Sequence, residues 1–151
     1  MNPKRVYIDT SVVGGCFDPE FRTASLALFF QFRTGRMIAL LSDVLDLEPE
    51  RAPAAVSAVL DHVGEHREHV RVTYEMRRLA ERYIRAGVIG RANVTDAVHV
   101  AAATACRADM LVTWDRRHIA HPIRIHGYNA VNADEGHPSL AIHTPEEIRH
   151  E

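Results

Sequence analysis

The chain has 151 residues, 46% of them hydrophobic and 25% charged, with a formal net charge of -2. These values exclude a disordered chain, a disulfide-stapled mini-protein and a histone-like polycation, and they fit a single domain over residues 1–151 with a sizeable core of its own. No apolar run reaches the roughly 18 residues of a membrane span. The opening MNPKR leads into a strand-like run without a signal-peptide apolar region, and Cys16 and Cys106 form no CxxC pair, so the expected compartment is the cytoplasm.

Lys4 to Ile8 reads as a strand buried on both faces, and it stops at Asp9. Phe21, Ala24, Leu28 and Phe32 recur at helical spacing before Gly35; this aromatic helix suits a core or a subunit interface. Residues 37–41 form a second short apolar run. Pro53 opens the next predicted helix, with Val56, Val59, Leu60 and Val63 on one side. Residues 70–73 read as a third strand, and residues 75–86 as a charged, exposed helix ended by Gly87. Residues 95–107 form an alanine-rich helix, residues 110–114 a fourth strand, and residues 123–125 a candidate fifth. Strand and helix alternate, which predicts an α/β protein whose mostly parallel sheet is covered on both faces. Chemistry in such sheets gathers outside the carboxyl ends of the strands.

Acids stand at those ends. Asp9 follows the first strand. "SDVLDLE" follows the second with Asp43, Asp46 and Glu48. Asp115 follows the fourth in "VTWDRRH", and Asp96 opens the helix of "TDAVHVAAA". Singly, each has a plain explanation: a turn, a cap, a solvated face, or a negative charge favoured at a helix start by about 0.3–1 kcal/mol. Jointly, carboxylates converging on one cleft repel, and a divalent cation relieves that repulsion. Oxygen donors without cysteine favour magnesium or manganese over zinc. Such ions activate water and stabilise the leaving oxygen of a phosphodiester, which points to nucleic-acid hydrolysis. Ser11 lies two residues after Asp9, and Thr113 shares a strand side with Asp115.

Other groupings are weaker. His62, His66 and His69 have helical spacing, but no cysteine or fixed acid accompanies them, which favours a solvated face over zinc. His99, one turn after Asp96, either orients a carboxylate, touches substrate or is a hydrogen-bonded structural residue; His118, three after Asp115, has the same alternatives. Arg116 and Arg117 either hold a phosphate backbone or form a solvated pair. Arg77, Arg78, Arg82, Arg85 and Arg91 make an RNA track or ordinary salt bridges with Glu75 and Glu81. The cysteines read as inert, and no dinucleotide or P-loop signature occurs. A haloacid-dehalogenase-type phosphatase also starts on a strand ending in aspartate, but its second aspartate would fall at Ser11.

The segments "YIDTSV", "LSDVLDLE", "TDAVHVAAA" and "LVTWDRRHI", in that order, resemble the PIN-domain family, in particular the VapC-like toxins of type II toxin–antitoxin systems. The tail "GYNAVNADEGHPSLAIHTPEEI" resembles a subgroup of it, so the likeness covers nearly the whole chain. It implies a three-layer α/β/α sandwich and an endoribonuclease using magnesium or manganese. It implies Asp9, Glu48, Asp96 and Asp115 as the catalytic, metal-holding acids; Ser11, His99, Thr113 and His118 are candidates for support, and Arg116 and Arg117 for substrate contact, by their positions beside those acids. Pro49 directly follows Glu48, which leaves Asp46 and Glu50 as competitors for the second place. The implied partners are RNA, a small antitoxin that occludes the site and a second copy in a homodimer. The alternative is a catalytically weak PIN-fold module that binds RNA or protein without cutting.

Overall fold

The computed structural model describes residues 2–47 and 60–148. Glu48, Glu50 and the helix expected from Pro53 through Val59 lie outside the described residues, and so does the side chain of Asp46. The order is β1 (Lys4–Ile8), α1 (Thr10–Gly15), α2 (Arg22–Arg33), β2 (Met37–Ser42) and a tight helical turn at Asp43–Leu47. A helical stretch at residues 60–63 (α3) follows. Then come β3 (Arg67–Val70), α4 (Tyr74–Arg85), a turn at Arg91–Asn93, α5 (Val94–Ala105), β4 (Met110–Val112), α6 (Pro122–Asp134), β5 (Ile142–His143) and α7 (Pro145–Ile148).

All five strands are parallel, in the order β3-β2-β1-β4-β5, so β1 lies at the centre. Its side chains alternate between two cores. Val6 and Ile8 join Ala39, Leu41, Met110 and Val112 beneath Leu28, Phe29 and Phe32 of α2. Tyr7 joins Leu40 and Leu111 beneath Leu79 and Tyr83 of α4, the alanines of α5 and Tyr128 of α6. This is the α/β, three-layer α/β/α arrangement that the alternating segments predict. Strands covered on both sides need no polar face, which is why β1, β2 and β4 read as continuous apolar runs.

Several expectations change. The third strand is Arg67–Val70, not residues 70–73; its first three residues are exposed at the sheet edge, and Thr73 instead caps α4, its Oγ1 accepting from Met76 N at 3.2 Å. Residues 123–125 are helical: Pro122 takes the first turn of α6, His121 caps it, and the fifth strand is Ile142–His143. His62, His66 and His69 share no helix face, because the helix ends before His66, and His69 sits in β3 against Asp43. The charged helix α4 is also less exposed than its composition implies, since it buries Met76, Leu79, Ala80 and Tyr83. Among the described residues no helix is long and apolar enough to cross a membrane.

Candidate metal centre

The apolar run of β1 delivers Asp9 to the carboxyl edge at mid-sheet. Its side chain caps α1, with Oδ1 accepting from Val12 N at 3.4 Å and from Ser11 Oγ at 2.7 Å. Thr113, the residue after β4, donates to the other oxygen at 2.6 Å. Ser11 Oγ in turn accepts from Trp114 N at 2.8 Å, and Thr113 Oγ1 from Asp115 N at 3.0 Å. The two hydroxyls therefore tie Asp9 to the chain that leaves β4. Asp9 is buried, and burial pushes its carboxyl above the usual carboxylate range despite the nearby His99 and these hydrogen bonds. The capping reading and the site reading of Asp9 are thus compatible.

Asp96 and Asp115 meet in front of it. Asp115 sits in the turn after β4, where its Oδ1 accepts from the backbone N–H groups of Arg117 at 3.0 Å and His118 at 2.7 Å. That turn folds His118 back, placing its Nδ1 3.2 Å from Asp115 Oδ2 and 3.7 Å from Asp96 Oδ2. Asp96 occupies the first turn of α5, where the helix dipole favours its ionised form. Burial, with Asp115 and Asp9 adding repulsion, outweighs that dipole and pushes the Asp96 carboxyl up to about 6. No described residue donates a hydrogen bond to it; His118 at 3.7 Å is its one ion-pair contact among them.

His99 lies beneath this layer rather than in it. It is 1% exposed, with Nδ1 2.7 Å from Tyr7 Oη and Nε2 3.3 Å from Thr10 Oγ1. Tyr7 Oη also lies 2.7 Å from Ser42 Oγ, so a polar column joins β1, β2 and α5 under the acids. The sequence reading missed Tyr7 and Ser42 here, although both stand at or near the carboxyl ends of central strands. Asp43 turns away from the cluster: it accepts from Val72 N at 2.9 Å and pairs with His69, contacts that hold its carboxyl below the usual range. Arg116 stands 3.6 Å from Glu146, with its guanidinium 6.0 Å from the Trp114 ring centroid, whereas the Arg117 side chain makes no ion pair with any described residue.

Asp96, Asp115 and His118 offer ligand atoms within 4.8 Å of one another, the one such grouping of His, Cys, Asp or Glu among the described residues. Two carboxylates and an imidazole suit a divalent ion, and the half-buried Asp96 carboxylate, with no hydrogen-bond donor among the described residues, fits one particularly well. Asp9 backs the grouping from behind, both its oxygens already engaged by Ser11 and Thr113. Fold and site together define an α/β/α sandwich with an acidic cluster outside its central strands. Neither a scan against family models nor a search of curated proteins matches this chain to a known family or protein.

Proposed function

We propose that this chain is a metal-dependent endoribonuclease of the PIN type that hydrolyses RNA phosphodiester bonds with magnesium or manganese. The observation that carries the reading is the convergence of Asp96, Asp115 and His118, whose ligand atoms lie within 4.8 Å of one another beside Asp9. Beside two further acids, Asp96 has among the described residues a single ion-pair contact, to His118 at 3.7 Å. The order of the four motifs resembling VapC-like toxins adds the biological part: a cytoplasmic toxin held in check by a small antitoxin, as a homodimer.

A divalent ion held by Asp96, Asp115 and His118, with Asp9 behind them, would supply Lewis-acid polarisation of a phosphoryl oxygen and of an attacking water. The protein's own part is preorganisation. Two backbone N–H groups fix the Asp115 carboxylate, and the Ser11 and Thr113 hydroxyls fix Asp9. Above pH of about 6 Asp96 is ionised and ready to bind.

The test is cleavage of a labelled mixed-sequence RNA with magnesium, manganese or EDTA. Metal-dependent fragments from the wild type, absent with Asp96→Asn, would support the reading. RNA left intact by a well-folded wild type under every metal condition would move the non-cutting module to the front.

A further inference from the structure

Beyond the acids, the turn after β4 leads into a second feature. An open cleft of about 650 Å³ lies between residues 86–88 and the first turns of α6, and Arg117, His121, Ile123, Arg124 and His126 are among its lining residues. Its floor is close-packed because residue 127 is glycine: a Cβ there would stand 3.0 Å from both Val88 Cγ atoms.

Among the described residues no carboxylate balances the charge in this cleft. Arg124 donates through Nε to Arg117 O at 2.8 Å and through Nη1 to Val88 O at 2.7 Å. Two carbonyls orient the guanidinium without neutralising it, and the Nη2 hydrogens and one on Nη1 are left for a ligand. Neither Arg124 nor Arg117 pairs with a carboxylate among the described residues, unlike Arg82 and Arg91, which salt-bridge to Glu135 and Glu81. His121 caps α6 through Nδ1 at 3.2 Å from Ile123 N, which leaves Nε2 uncommitted by that bond. Ile123 is 76% exposed and gives the cleft an apolar wall.

We propose that this cleft binds a single-stranded RNA segment that continues from the acidic cluster, with Arg124 and Arg117 on its phosphates and Ile123 against a base. An oriented, unpaired guanidinium is suited to phosphate, and an apolar wall beside it suits a base face. Arg117 connects the two places, because its backbone N–H holds Asp115 while its side chain lines the cleft. The inference rests on the nuclease reading for what lies at the strand's other end. It adds a binding site to that reading, away from the acids.

The test is fluorescence anisotropy with a labelled single-stranded RNA in EDTA, where no cleavage occurs. Arg117→Glu and Ile123→Ser are the cleft variants, since neither side chain hydrogen-bonds to any described residue. Lys4→Glu, at the amino end of the central strand β1, controls for net charge. Arg117→Glu should weaken binding roughly three- to tenfold and lower the salt slope by about 0.7, one single-strand phosphate contact. Ile123→Ser should weaken it without changing that slope, and Lys4→Glu should match wild type. Equal affinity in all four proteins, or no RNA binding by the wild type, would overturn the proposal. So would a wild type that instead binds an acidic peptide with the same dependence on Arg117, which would make the cleft a protein-docking site. The nuclease reading fails separately: cleft-dependent binding without metal-dependent cleavage removes it, and cleavage indifferent to the cleft removes only this proposal.

Discussion

Thr113 Oγ1 donates to Asp9 Oδ2 at 2.6 Å across the seam between β4 and β1. Both residues follow central, parallel strands, and both are buried. The bond joins two segments 104 residues apart in sequence at the point where the acidic cluster begins.

Replacing Thr113 with valine keeps the shape and deletes the donor. A buried acceptor would lose a hydrogen bond, so Thr113→Val should destabilise the protein by about 1–3 kcal/mol, and Thr113→Ser should restore most of it. Urea unfolding measures this. A Thr113→Val midpoint equal to wild type would show that the hydroxyl's bonds to Asp9 and Asp115 N contribute nothing to stability.

Asp96→Asn should stabilise the metal-free protein at neutral pH. The carboxyl is raised from 3.8 to about 6, so the folded state holds its proton more tightly than the unfolded chain. Stability from this group is complete below pH of about 4 and is lost as pH rises through about 6. The variant should therefore match wild type near pH 4 and exceed it by about 1–3 kcal/mol at pH 7.5 in EDTA. A variant less stable than wild type at pH 7.5 would mean that the charge is compensated within the fold.

Cation binding should depend on the same proton. Below pH of about 6 a divalent ion must displace it, so manganese affinity should fall steeply between pH 7 and pH 5, by up to about tenfold per unit. Calorimetry at three pH values checks this. A flat profile would exclude Asp96 as a ligand.

Tyr7→Phe removes the hydroxyl 2.7 Å from both His99 Nδ1 and Ser42 Oγ. The expected cost is about 1–3 kcal/mol, read from chemical denaturation, because two buried polar groups each lose a partner. Unchanged stability would show that the column beneath the acids adapts to the loss.

Cys16 should resist alkylation. It is 6% exposed, and burial pushes its thiol up to about 12. Iodoacetamide at pH 8 should modify it only after unfolding. Rapid native labelling at Cys16, located by peptide mass spectrometry, would contradict its placement in the core.

The legibility of the fold followed burial. The strands at the sheet's centre, β1, β2 and β4, carry apolar runs because helices cover both their faces, so sequence alone located them. The edge strand β3 spells Arg-Glu-His-Val and carries no such run, while Val70 drew the expected strand past its true end. The Ile-Arg-Ile of residues 123–125 mimics strand alternation, yet Pro122 behind His121 is a helix-start signal that outranks so short a pattern. At the site, Asp9, Asp96 and Asp115 were legible as residues just past strands or at a helix start. The bond from Thr113 to Asp9 was not, because it depends on which strands are neighbours. Nor was the inward turn of His118, which depends on two backbone N–H groups closing on Asp115.

The most direct measurement is calorimetric titration of manganese into wild type and Asp96→Asn at pH 7.5, with circular dichroism to confirm that both are folded, and repeated with a non-cleavable RNA analogue present. A metal centre at the carboxyl edge predicts saturable binding to wild type that Asp96→Asn abolishes. No saturable binding with or without the analogue, or equal binding by the two proteins, would contradict it.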